Sequence, residues 1–164
     1  MKAITFFLIT ILSYTLASQE VDVRASVYEV KPKINQWLFI TTSSEKTIEQ
    51  VVVQKPITAD DELSIEYNIT NKDDKVLGQG SGPFCSNPAS KDGIIVSLLS
   101  QFLGINLECP VEQKQVEKPP NIVSGKIVVD ENPGKHKIFI EMSIKKGTAS
   151  LITVSVSGRA SDLQ

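Results

Sequence analysis

Along residues 21–84, apolar and polar positions alternate with the period of two that marks β-strands. The runs VDVRASVYEV (21–30), INQWLFITT (34–42), TIEQVVVQ (47–54) and ELSIEYNI (62–69) are rich in Val, Ile, Thr and aromatic residues. In the fourth run Leu63, Ile65, Tyr67 and Ile69 share one face, and Glu62, Ser64, Glu66 and Asn68 share the other. That is the inside–outside alternation of a half-buried antiparallel strand. TNKDDK (70–75) then predicts a hairpin tip, and KVLGQGSGPF (75–84) a glycine-interrupted strand. The same grammar resumes after Cys109 in IVSGKIVVD (122–130), HKIFIEMSIK (136–145) and SLITVSVSG (150–158), joined by ENPG and KKGT. VEKPPN (116–121) predicts a rigid extended connector. About eight strands without a repeating βα pattern predict an all-β fold, a two-sheet antiparallel sandwich or cup.

One stretch breaks this grammar. GIIVSLLSQFLGINL (93–107) holds no charged residue, in a chain of which 22% is charged, and it lies between the only two cysteines, Cys85 and Cys109. On a helical wheel Ile94, Ile95, Leu98, Leu99, Phe102 and Leu103 cover an arc of about 180°, with Val96 widening it, which exceeds the stripe one contact surface requires. Only Ser97, Ser100 and Gln101 stand opposite. The segment is therefore expected to be a short helix or apolar loop insert that meets two apolar environments, its own sheet and something else.

The two cysteines pair most simply with each other if the chain is secreted; a pair of buried free thiols is the alternative. A Cys85–Cys109 bridge closes a loop of about 25 residues, worth roughly 3 kcal/mol on the chain-entropy account. Secretion itself is suggested by residues 1–17, which carry one lysine, an apolar run from Ala3 to Leu12 and small residues at Ala17 and Ser18. This is the layout of a signal peptide, with an apolar part too short to span a bilayer. Residues 18–164 are then expected to form a single domain, located outside the cell or in the endosomal–lysosomal lumen. Asn68, Ile69 and Thr70 make a glycosylation sequon, with Asn68 on the predicted solvent side of its strand.

Composition narrows the function classes. With a net charge of −2 and only two arginines, Arg24 and Arg159, the chain has no basic stripe for nucleic acid. No catalytic constellation is recognisable: the one histidine, His136, has no local partner, and paired cysteines leave no thiolate or zinc site. The acids at 60–61 and 73–74 resemble turn residues more than a calcium loop. The glycines of GQGSGPF lack the following Lys-Ser/Thr helix start of a phosphate loop. The reading is a non-enzyme without cofactor or metal.

What remains is apolar surface. Trp37 and Phe39 fall on one face of their strand and Leu38 and Ile40 on the other, so the strand is either covered twice or lines a cavity. Phe84, Phe102, Phe139 and Met142 add large apolar volume. A cavity for a lipid chain gains about 0.8 kcal/mol per buried CH₂ and needs only a polar rim to choose the head group. The residues expected to form such a cavity and its rim are Trp37, Phe39, Ile94, Ile95, Leu98, Leu99, Phe102, Leu103, Phe139 and Met142.

Three features give the chain a resemblance to the ML lipid-recognition domain family, and most to its ganglioside-activator branch. LGQGSGPFC leads into the apolar insert and then into LECPVE, similar to the family's Cys-Pro after a helical apolar insert. NPGKHKIFIEMSIKKG resembles the family's Pro-x-Gly-x-Tyr strand start, with His136 where an aromatic is common, and LITVSVSG is similar to its closing strand. The family usually carries two to four disulfides, whereas this chain has cysteines for one. The resemblance implies a β-cup with acyl or sterol chains held between two splayed sheets, and a carrier that presents lipid to a membrane, enzyme or receptor. Phospholipid, glycolipid, fatty acid and sterol are all candidates, with a transient membrane surface and a protein acceptor as further partners. On that reading 93–107 is a rim segment, and Leu98→Asp or Phe102→Asp abolishes liposome association without altering the fold. The alternative is a secreted adhesion or receptor-binding sandwich without a lipid cavity.

Overall fold

The computed structural model describes residues 18–43 and 47–160; the signal-peptide reading of 1–17 lies outside them. Among these residues nine strands and one α-helix follow in the order β1 (Gln19–Pro32), β2 (Leu38–Thr42), β3 (Ile48–Val53), β4 (Leu63–Asn71), β5 (Val76–Pro83), α1 (Lys91–Leu103), β6 (Lys114–Glu117), β7 (Ile122–Val129), β8 (Lys137–Lys146) and β9 (Ala149–Ala160). They form a six-stranded sheet, β5-β4-β8-β9-β1-β7, and a three-stranded sheet, β2-β3-β6, antiparallel throughout. The two-sheet antiparallel sandwich expected from the alternation is the observed architecture.

The period-two pattern does what its chemistry requires. Leu63, Ile65, Tyr67 and Ile69 of β4 are buried beside Ile144, Met142 and Ile140 of β8, which lie opposite Ile152, Val154 and Val156 of β9. Val21, Val23, Ala25 and Val27 of β1 continue the same face, and all join one core with Leu38, Ile40, Val51 and Val53 of the smaller sheet. Each fully buried Val, Leu or Ile contributes roughly 1.5–3 kcal/mol relative to exposure. The sequence pattern misses one strand, β6, which falls partly within the expected connector. It is only four residues long, KQVE, with Val116 alone half-buried, so it carries no alternation to detect. Charged residues on such a short strand also suit a sheet edge.

The large sheet is curled. At one corner its two edge strands meet: the Asp130 amide, just beyond β7, donates to the Leu77 carbonyl of β5 at 2.7 Å. Glycines permit the approach. A Cβ at Gly78 would stand 2.9 Å from the Val128 carbonyl oxygen, and one at Gly80 would stand 2.6 Å from the Tyr67 hydroxyl. The GQGSG run is thus a strand whose Gly78, Gly80 and Gly82 lie opposite Ile69, Tyr67 and Ile65, leaving space rather than cradling phosphate. Away from that corner the edges part, and α1 packs mainly on β7, with lesser contact to β5 and β4.

Candidate functional site

The segment tied by the disulfide is built to hold α1 in one place. Ser90 caps its N-terminus by accepting from the Gly93 amide at 3.0 Å, and Gly104, in the left-handed region at φ +66°, ends it. Lys91 reaches Asp130 at 3.2 Å, fastening the helix start beside the corner where β5 and β7 meet. Cys85 follows β5 and is bonded to Cys109, with the two Cα atoms 5.4 Å apart. The expected bridge is therefore present.

The helix inserts most of its apolar arc, Ile94 remaining only half-buried. Ile95, Leu98, Leu99, Phe102 and Leu103 are buried, Leu98 to 1% and Phe102 to 0% exposure, and Ile105 and Leu107 follow them inward. Leu98 lies against Gly125 of β7, where an added Cβ would come within 2.8 Å of the leucine Cδ1. The rim placement of these residues is thereby corrected: they are core. The second apolar environment that the wide arc called for is supplied by the same sheet, because α1 occupies the gap where the edges of that sheet diverge.

The other expected site residues are divided between inside and outside. Met142 is buried on the inner face of β8, while Phe139 is on the outer face, edge-on to Tyr28 with ring centroids 6.1 Å apart. Phe39 is 46% exposed on the outside of β2, so neither it nor Phe139 lines an interior cavity. Trp37 is buried just before β2, with Lys55 Nζ 5.0 Å above its ring. Its indole N–H donates to Asp61 at 3.0 Å. Asn68 is exposed on β4, on the outward face that the sequence assigned to it.

Asp61 also accepts from the Thr58 amide at 2.9 Å and pairs with Lys55 at 3.0 Å. The Thr58 amide, then the Trp37 indole and the Lys55 ammonium hold its carboxyl well below the usual carboxylate range. Since the folded-state pKa lies below the unfolded value of about 3.9, the stabilisation is complete above that value and fades as pH falls through it toward the folded pKa. Urea midpoints of the wild type and Asp61→Asn should therefore differ most near neutral pH and converge below about pH 4. A gap that stays constant into acid would show that ionisation of Asp61 contributes nothing.

A groove of about 610 Å³ runs along the outward side of α1, between the disulfide arm and the edge of β7. Phe84, Ile94, Val96, Leu107 and the disulfide line its apolar part. Ser97, Ser100, Gln101, Asn106 and Glu108 form polar margins, and the Lys126–Glu20 ion pair, 3.0 Å, stands at one side. Ser86 Oγ lies in this lining, buried and without a hydrogen-bond partner among the described residues. Such an atom ordinarily has a partner, so it is a ready donor or acceptor for a ligand. Of the residues read as cavity or rim from the sequence, Ile94 alone lines this groove. In the sequence Ser97, Ser100 and Gln101 form only the polar back of a helix; nothing in their spacing distinguishes a solvated face from one wall of a groove. Compared with models of protein families and with curated proteins, the chain matches none.

Proposed function

We propose that this protein is a secreted lipid carrier of the ML type, holding the chain of a lipid or sterol in the groove along α1 and presenting it to a membrane, enzyme or receptor. The observation that carries the reading is the groove itself: a mixed apolar and polar cleft within the roughly 300–1,000 Å³ typical of small-ligand sites, with the unpartnered Ser86 hydroxyl in its wall. Phe84, Ile94 and Leu107 offer a surface on which each buried CH₂ contributes about 0.8 kcal/mol. The polar margin then selects the head group. The curled, open sheet and the single bridge support the same reading, because they leave the α1 flank exposed while fixing its position. The ligand seat differs from the one the sequence suggested: it lies outside the packed core, not between the two sheets.

The test is organic extraction of protein secreted by a eukaryotic host and purified natively, followed by mass spectrometry. A stoichiometric lipid is expected in the wild type. It should be lost in Ser97→Trp, which fills the groove from an exposed position without entering the core. A blank that persists after incubation with mixed liposomes, or equal lipid in both proteins, would overturn the reading. The blank would favour a protein-binding sandwich, for which exposed Phe39 on the outer face of β2 and fully exposed Ile34 in the preceding turn are the supporting observation.

A further inference from the structure

The strand register brings together three cations that are far apart in the chain. Arg24 of β1 is paired with Arg159 of β9, and Arg159 is paired in turn with Lys137 of β8. Their neighbours Val23, Ala25 and Ile138 face the core, so the three basic side chains emerge on the opposite, solvent-facing side of the large sheet. The adjacent row on that side holds Ser26, Ser157 and Phe139, again in register. Arg24, Ser26, Lys137, Ser157, Gly158 and Arg159 surround a shallow depression of about 420 Å³.

Two features set this row apart from ordinary surface charge. Like charges directly opposite one another on a sheet destabilise it, and here three stand side by side in a chain whose net charge is −2. Both arginines of the protein are used, although lysine supplies every other cationic side chain apart from His136. Among the described residues none of the three is in an ion pair. Of the acids near the row, Glu29 pairs with Lys31 at 2.9 Å, while Asp22, two residues before Arg24 on the same face of β1, lies opposite Lys126, which pairs with Glu20 at 3.0 Å. A repulsive row with no ion pair of its own among the described residues is a local conflict of the kind found at functional sites.

We propose that Arg24, Arg159 and Lys137 form an anion-binding site that takes a phosphate group, borne by a lipid head group or by a soluble phosphate ester. Two guanidinium forks present paired donors matched to phosphate oxygens, the lysine adds a point charge, and the Ser26 and Ser157 hydroxyls add neutral donors. The site is on the sheet face, away from the α1 groove, and its existence does not depend on a lipid chain occupying that groove.

The test combines two probes on the full-length secreted protein. Inorganic phosphate is titrated while backbone amide shifts are followed by NMR, and flotation is measured on phosphatidylcholine vesicles with and without phosphatidic acid. Saturable shifts confined to residues 24–26, 137–139 and 157–159 are expected, together with binding to the phosphatidic-acid vesicles alone. Arg24→Gln/Arg159→Gln should weaken the response roughly tenfold or more, the scale of losing one charge-assisted contact. Lys72→Gln/Lys114→Gln, which removes the same charge elsewhere, should leave it near wild type. The arginine variant relieves repulsion, so its thermal midpoint should equal or exceed that of the wild type, which keeps misfolding from passing as lost binding. Phosphate shifts at the row without flotation would identify a soluble ester as the ligand; both together would identify a lipid head group. Scattered or absent shifts, or equal loss in the two double variants, would overturn the site.

Discussion

Phe102→Ala is expected to destabilise the protein by about 3–5 kcal/mol, the range for removing a buried aromatic side chain and leaving a cavity. Phe102 is fully buried and belongs to the same core as β4, β8 and β9. For a domain whose total stability is typically about 5–15 kcal/mol, this is a large fraction. Urea unfolding followed by tryptophan fluorescence measures it directly, since Trp37 is the only tryptophan. Leu98→Asp should go further and prevent folding, because the carboxylate would be buried against Gly125, where Leu98 packs. This reverses what a membrane-dipping rim would do: there, charge at Leu98 or Phe102 abolishes liposome binding and spares the fold. A folded Leu98→Asp protein with an unchanged far-UV spectrum would mean that α1 leaves the core readily, and the core placement of Leu98 would be wrong.

Replacing both cysteines, Cys85→Ser/Cys109→Ser, is expected to cost about 3 kcal/mol on the loop-entropy account for a closed loop of this length. The location of the loss is as informative as its size. Leu98, Leu99, Phe102 and Leu103 still dock α1 without the bridge, so the loosened parts should be the arms on either side of the helix. Limited proteolysis should accordingly cut faster within 85–90 and 105–110 and leave the helix protected. Equal nicking in the two proteins would show that the bridge restrains nothing. The groove lies between the disulfide arm and β7, so on the carrier proposal this variant should also retain less lipid than the wild type even where its fold persists.

Much of the architecture is written locally. Alternation in ELSIEYNI and HKIFIEMSIK assigns an inner and an outer face residue by residue, and the observed burial of Leu63, Ile65, Tyr67, Ile69, Ile138, Ile140, Met142 and Ile144 follows it. The two cysteines and the unusually wide apolar arc of 94–103 were equally legible, because each depends on residue type and spacing alone. β6 was not, since four mostly polar residues acquire strand geometry only by pairing with β3.

The candidate sites belong to the second category. A period of two separates faces but does not say which outward aromatic another element will cover; among the described residues no layer packs over Phe39 and Phe139 as the core covers Leu38 and Ile140. The width of the α1 arc showed that two apolar surfaces were needed, yet only the curl of the large sheet decided that both come from one molecule. Arg24 and Arg159 are 135 positions apart in sequence (159 minus 24), and the strand register makes them neighbours. The sequence alone determined every strand but β6, the buried faces of those strands and the means for one covalent tie, because short-range periodicity and side-chain chemistry suffice for those. The groove, the filled core and the cationic row were decided by tertiary structure, because each arises where segments distant along the chain are brought together by long-range packing and backbone pairing.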